Sequence, residues 1–220
     1  MTATIICVVE GQGEVHAVPR LVNRMLKELR RDRRLAADPT RVLCTKDGDR
    51  IAAPFDEARK LGIEWWVRRA AREKPAGILV VVDAEERCVA RGIDAGAYAR
   101  ELRDRAAPHA GAIPLAVAVP HHEFEAWYLA DFHSLRAHGY FPPDSQFPRW
   151  REPERMSDCK GVLTDLIGIR YRETVHQKYF ANLVSLPLRA PIRRRSPTYE
   201  GMFEAVRTLS APALHDVIAR

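Results

Sequence analysis

The chain has 220 residues, 46% of them hydrophobic and 29% charged, and a formal net charge of +6. This composition excludes a disordered chain, and the length suffices for one core with an elaboration, without disulfides or a structural metal. No run approaches the roughly 18 consecutive apolar residues of a membrane span, and the opening segment turns acidic at Glu10, too soon for a signal peptide, so the sequence predicts a cytoplasmic protein with no membrane partner.

The four cysteines, Cys7, Cys44, Cys88 and Cys159, show neither C-x-x-C nor zinc spacing and read as reduced thiols. The positive balance favours a polyanion such as nucleic acid. Basic residues cluster at Arg30, Arg31, Arg33 and Arg34, at Arg68, Arg69 and Arg72, and at Arg193, Arg194 and Arg195. Solvated helix faces are the alternative reading of these clusters.

Ala3 to Val9 is a continuously apolar, β-branched run, the pattern of a strand buried on both faces in a parallel sheet. Glu10 ends it. After Gly11-Gln12-Gly13, residues Val18, Leu21, Val22, Met25, Leu26 and Leu29 recur at helical spacing, with Pro19 expected in the first turn. Arg41 to Thr45 reads as a short strand, Phe55 to Arg72 as a helix stopped by Lys74-Pro75, and Gly77 to Val82 as a second buried strand closed by Asp83. A helix is expected over Asp94 to Ala106 and a fourth strand over Ile113 to Val119. Strands alternating with helices imply βαβ units and a mostly parallel α/β sheet. From His133 onward Pro142, Pro143, Pro148 and Pro153 interrupt the chain, and a helical pattern returns over 160–185. The expected organisation is an α/β core over 1–133 and a mainly helical C-terminal extension over 134–220 packed on it.

Ligands of parallel α/β sheets bind outside the carboxyl ends of the strands, and two strands here end in carboxylates, at Glu10 and at Asp83-Ala84-Glu85. Alternation along an extended tail puts Asp83 and Glu85 on one side, and the flanking glycines let Glu10 face them. Hard oxygen ligands so grouped suit Mg²⁺ or Mn²⁺. The competing reading has Glu10 capping the next helix and the other two acids paired with arginines. After the fourth strand comes His121-His122-Glu123-Phe124-Glu125-Ala126-Trp127-Tyr128-Leu129-Ala130-Asp131, in which Glu123 is a candidate further ligand. His122-Glu123 does not extend to H-E-x-x-H, because Ala126 stands where the second histidine is needed. A P-loop, a complete dinucleotide fingerprint and G-x-S-x-G are all missing from the sequence.

The set Glu10-Gly11-x-Gly13-Glu14, Asp83-x-Glu85, Glu125-Ala126-Trp127-x-Leu129-Ala130-Asp131, Asp158-x-Lys160 and His176-Gln177-Lys178 resembles an uncharacterised bacterial family of TOPRIM-like proteins often encoded beside an ATPase. It is related to the TOPRIM domains of topoisomerases, primases and overcoming-lysogenization-defect (OLD) nucleases. The resemblance implies a TOPRIM-like, Rossmann-like fold and a metal-dependent nuclease or other phosphodiester enzyme on DNA or RNA, in a bacterial defence or repair system with an ATPase partner. It further implies that Glu10 is the general acid/base and that Asp83 and Glu85 bind Mg²⁺. Glu85 replaces the family's second aspartate. Lys160 and Lys178 are candidate catalytic residues that position backbone phosphates, surface salt bridges being the other reading. The rival function is a non-catalytic TOPRIM-like module that binds nucleic acid or the ATPase. The sequence leaves the oligomeric state open, a homodimer included.

Overall fold

A computed structural model describes residues 3–32, 34–46, 49–146, 152–186 and 190–211. Arg33 and Pro148 lie outside the described residues. The strands are β1 (Ala3–Val9), β2 (Leu35–Ala37), β3 (Leu43–Cys44), β4 (Gly77–Val81) and β5 (Leu115–Ala118). The helices of the first half are α1 (Glu14–Glu28), α2 (Asp49–Ala52), α3 (Ile63–Ala71), α4 (Arg87–Arg91) and α5 (Ala95–Ala110). Then follow α6 (Ala126–Ala130), α7 (Phe132–Ala137), a 3-10 turn at Pro153–Arg155, α8 (Cys159–Ile167), α9 (Glu173–Leu183), α10 (Pro191–Arg195) and α11 (Pro197–Ser210). Among the described residues no helix is long and apolar enough to cross a membrane.

All strand pairings are parallel, in the order β2-β1-β4-β5, and β3 joins β2 on the flank of β1 away from β4. The mostly parallel sheet flanked by helices is therefore as the alternating pattern predicts. Side chains of successive strand residues leave on opposite faces, so the continuously apolar runs of β1 and β4 feed two separate cores. Ile5, Cys7, Val9, Leu79 and Val81 pack under α1, α6 and α11, whereas Ile6, Val8, Ile78 and Val80 pack under α3 and α5. The chain beyond residue 134 completes the first of these layers, with Met202, Val206 and Leu209 of α11 buried against the sheet.

Trp127-Tyr128-Leu129-Ala130-Asp131 ties that layer together. Trp127 Nε1 donates to Thr198 Oγ1 at 2.8 Å, the Tyr128 hydroxyl donates to the Gln177 carbonyl at 3.0 Å, and Asp131 Oδ2 accepts from the Ser185 amide at 2.6 Å. One short α6 thus reaches α9, α11 and the segment between them. Both rings are fully buried, which accounts for the aromatic residue types there.

Three local expectations change. The helix expected over 55–72 begins only at Ile63, because 55–62 folds back through an Asp56–Leu61 bridge into Gly62 at φ +88°, where a Cβ would lie 2.8 Å from Phe55 Cα. Helix α1 starts at Glu14, so Pro19 falls in its second turn rather than its first, leaving the Val15 carbonyl without its helical donor. The pattern over 160–185 is two helices, α8 and α9, separated at Gly168, whose φ of +70° closes α8.

Candidate metal centre

The sheet order itself selects a place. β1 has β2 and β3 on one side and β4 on the other, so the connections diverge between β1 and β4, and the crevice at their carboxyl ends is the switch point where α/β sheets bind ligands. Glu10 follows β1 and Asp83 follows β4. They meet there: the Asp83 amide donates to Glu10 Oε2 at 3.1 Å, and Glu10 is only 6% exposed.

The cavity at this crevice measures about 330 Å³ and brings the carboxylates of Glu10, Glu14, Asp83, Glu85, Glu125 and Glu173 to one lining with Lys46 and Lys160. Glu14 enters it from the first turn of α1, where its Oε2 accepts from the Glu10 amide at 3.2 Å. Glu125 enters from the start of α6 and is 1% exposed. Its Oε1 accepts from the Tyr171 hydroxyl at 3.0 Å and from Gln177 Nε2 at 2.8 Å. Gly13 makes the arrangement sterically feasible, since a Cβ at that position would lie 2.4 Å from Gln177 Oε1 and 2.8 Å from the Glu173 backbone carbon. It admits α9 to the mouth of the Glu10–Glu14 turn.

Burial of so many acids in one place raises their proton affinity. Desolvation first, then the Asp83 charge, push Glu10 from an ordinary 4.5 up to about 9, partly opposed by the Asp83 amide and Arg87. Asp83 is raised by burial and then by Glu14 and Glu125, and Glu14 by burial and then by Glu10 and Glu125. Glu125 is raised by burial against the pull of Lys160. Lys160 lies 2.7 Å from Glu173 Oε1. Burial alone would lower it, but Glu125 and Glu173 outweigh that and hold it firmly as the ammonium.

Three oxygens on this lining, Glu10 Oε1, Asp83 Oδ1 and Gln177 Oε1, are buried with no hydrogen-bond partner among the described residues. Orphaned acceptors of this kind cost free energy unless a donor or cation meets them. Their chemistry, all hard oxygen, fits Mg²⁺ or Mn²⁺ once the two carboxyl groups give up their protons to the incoming charge. Among the described residues no group of three or more His, Cys, Asp or Glu side chains is arranged so that it could hold a metal ion, so the carboxylates would have to draw together around one.

The other sequence candidates fall in different places. Glu85 lies on the cavity rim in left-handed backbone (φ +48°), exposed, with its Oε2 3.4 Å from Arg87 Nη2, so the tail after β4 turns instead of alternating. Glu123 is outside the lining. Its Oε2 accepts from the amides of Cys159 at 3.0 Å and Lys160 at 3.3 Å, capping α8 together with Asp158. Lys178 is also outside it, with its ammonium 5.0 Å from the Tyr179 ring centroid. Glu14, Glu125, Glu173, Tyr171 and Gln177 were not singled out by the sequence reading. For Glu14, Glu125 and Gln177 the signal was their presence within the quoted motifs.

Fold and site together define an α/β protein with a buried acidic cavity at the carboxyl edge of a parallel sheet. The chain belongs to the family described as "Domain of unknown function (DUF4276)", whose model matches residues 9–205. No curated protein matches it. The C-terminal region of the OLD protein of Xanthomonas campestris pv. campestris is similar over 96% of this chain and 97% of that one, at 15% identity and a TM-score of 0.44. The fold assignment stands on the sheet order above.

Proposed function

We propose that the acidic cavity holds a divalent cation and that the protein is a metal-dependent nuclease or related phosphodiester enzyme acting on DNA or RNA. The observation that carries this reading is the trio of unpartnered oxygens on Glu10, Asp83 and Gln177 at the switch point of the sheet. Glu10, Asp83 and Glu14 would hold the cation, with Gln177 Oε1 as a neutral donor and Glu85 reaching in from the rim on release of Arg87. When bound, the cation polarises a phosphoryl oxygen and lowers the pKa of water.

The chain's own groups supply the remaining chemistry. Glu10 carries a proton at neutral pH in the cation-free cavity and surrenders it when positive charge arrives, so it is suited to hold or release a proton at the reacting oxygen. Its Oε2 is fixed by the Asp83 amide, which leaves Oε1 buried and without a partner among the described residues. Tyr171 and Gln177 pin Glu125, and Glu173 pins Lys160, so the ammonium is poised against an incoming phosphate. The resemblance noted in the sequence adds the TOPRIM context, a defence or repair role and an ATPase partner to this proposal, and the early acidic turn at Glu10 adds the cytoplasm as its place.

Two observations favour the non-catalytic reading. Lys160 already places a positive charge among the carboxylates, and Glu85 is spent on Arg87, as in a site used for binding nucleic acid or the ATPase alone. Nicking of a supercoiled plasmid separates the two. The enzyme reading expects cleavage in Mg²⁺ or Mn²⁺ that Glu10→Gln and Asp83→Asn each abolish. DNA binding without cleavage in every form would establish the module instead.

A further inference from the structure

A second cavity, of about 1010 Å³, opens beyond the tail of β5, where the sheet edge ends. It lies on the same carboxyl edge as the acidic site, because the two strand tails stay paired: the Ala84 amide donates to the Pro120 carbonyl at 2.9 Å and the Glu85 amide to the His122 carbonyl at 3.2 Å. Its lining has the opposite character. Four guanidinium groups, those of Arg136, Arg155, Arg194 and Arg195, join His121 and His133 there, against only Glu152 and Glu154.

The two glutamates are already engaged. Glu154 Oε1 accepts from the Thr198 amide at 2.9 Å, from Thr198 Oγ1 at 2.6 Å and from the Ser196 hydroxyl, which fixes the start of α11. Glu152 lies 2.7 Å from Arg155. Arg136 stacks over the Phe132 ring and donates to the Ser145 carbonyl, which leaves part of its fork facing out. No carboxylate among the described residues pairs with Arg194 or Arg195, and both are exposed. Their neighbour Arg193 behaves differently: it is buried, paired with Glu200 and packed over Phe203 at 4.1 Å, which turns the next two arginines outward. His121 adds a buried Nδ1 with no partner.

We infer that this cavity is a phosphate-binding site, in which Arg194 and Arg195, backed by Arg136 and His121, hold phosphate groups of the ligand whose reacting group enters the acidic cavity. Guanidinium forks match phosphate oxygens two at a time, and a lining with more guanidinium groups than free carboxylates attracts a polyanion rather than a cation. The acidic site alone repels a nucleic-acid backbone, so a cationic hold on the same sheet edge supplies the attraction it lacks. The inference deepens the proposed function and rests on it in taking the acidic cavity as the reacting site and nucleic acid as the source of the phosphates, a free nucleotide being the other source.

The test measures binding without a metal, so that it stands apart from cleavage. Fluorescence anisotropy of labelled duplex and single-stranded oligonucleotides is followed in EDTA from 50 to 200 mM salt, for the wild type and for Arg194→Glu/Arg195→Glu, with ATP and inorganic phosphate as competitors. The double variant is expected to bind at least tenfold more weakly, with a salt slope shallower by about 1.8 for duplex or about 1.4 for single strands. Arg194→Gln/Arg195→Gln, which carries no reversed charge, is expected to show the same slope change, and unchanged thermal melting excludes misfolding. Tight, arginine-dependent binding of ATP with no gain from an oligonucleotide assigns the cavity to a free nucleotide. Equal binding by wild type and both variants, or binding of none of the probes by the wild type, overturns the inference. Nicking lost in Glu10→Gln while arginine-dependent binding persists shows that the two sites fail separately.

Discussion

Replacing Glu10 with glutamine should change how stability depends on pH. Glu10 is 6% exposed and its pKa rises from 4.5 to about 9 on folding. A carboxyl raised in this way contributes its full stability below pH 4.5 and loses it as the pH climbs through 9, because the unfolded chain ionises freely while the folded one must keep the proton. Each pH unit inside that window costs about 1.4 kcal/mol, which accumulates to about 4 kcal/mol at pH 7.5. Glutamine is neutral at every pH. Its carbonyl can accept from the Asp83 amide as Glu10 Oε2 does. Urea unfolding in EDTA at pH 5, 6.5 and 8 should find Glu10→Gln gaining on the wild type by about 1.4 kcal/mol per unit, with the gap closing when Mn²⁺ is added to the wild type. Stability differences that stay constant across pH would refute the buried, proton-holding Glu10.

Other consequences concern the supports of the site. Gly13→Ala places a methyl 2.4 Å from Gln177 Oε1, so α9 must retreat from α1. The expected cost is about 1–3 kcal/mol in urea unfolding, with weaker Mn²⁺ binding by calorimetry. Tyr171→Phe removes the 3.0 Å hydrogen bond to buried Glu125, for about 1–3 kcal/mol, read by the same unfolding assay. Leu209→Ala deletes a buried side chain that packs over Gly77 and should cost about 2–5 kcal/mol, visible as a lowered thermal midpoint, because α11 seals one face of the sheet.

The parallel sheet was legible because β1 and β4 must be apolar on both faces, which leaves an uninterrupted run in the sequence. Periodicity is blind where tertiary geometry interrupts it. The 55–62 segment carries apolar residues at helical intervals, yet Gly62 at φ +88° and the Asp56–Leu61 bridge turn it aside. Glu10 and Asp83 were legible since each ends a strand, and the carboxyl edge of a parallel sheet is a place with a known use. Glu14, Glu125 and Gln177 were harder. Each belongs to a helix or its first turn, and their convergence depends on a contact between residues 125 and 177 that no local pattern encodes. Glu123 illustrates the converse: the same acidic segment offers two glutamates two residues apart, and only the packing of α8 decides that one caps a helix while the other faces the cavity.

Crystals grown with Mn²⁺ and measured at its absorption edge bear most directly on the central claim. The account predicts an anomalous peak between the carboxylates of Glu10 and Asp83, lost in Glu10→Gln/Asp83→Asn. A cavity free of anomalous density in the wild type, with both side chains still on its lining, would contradict it.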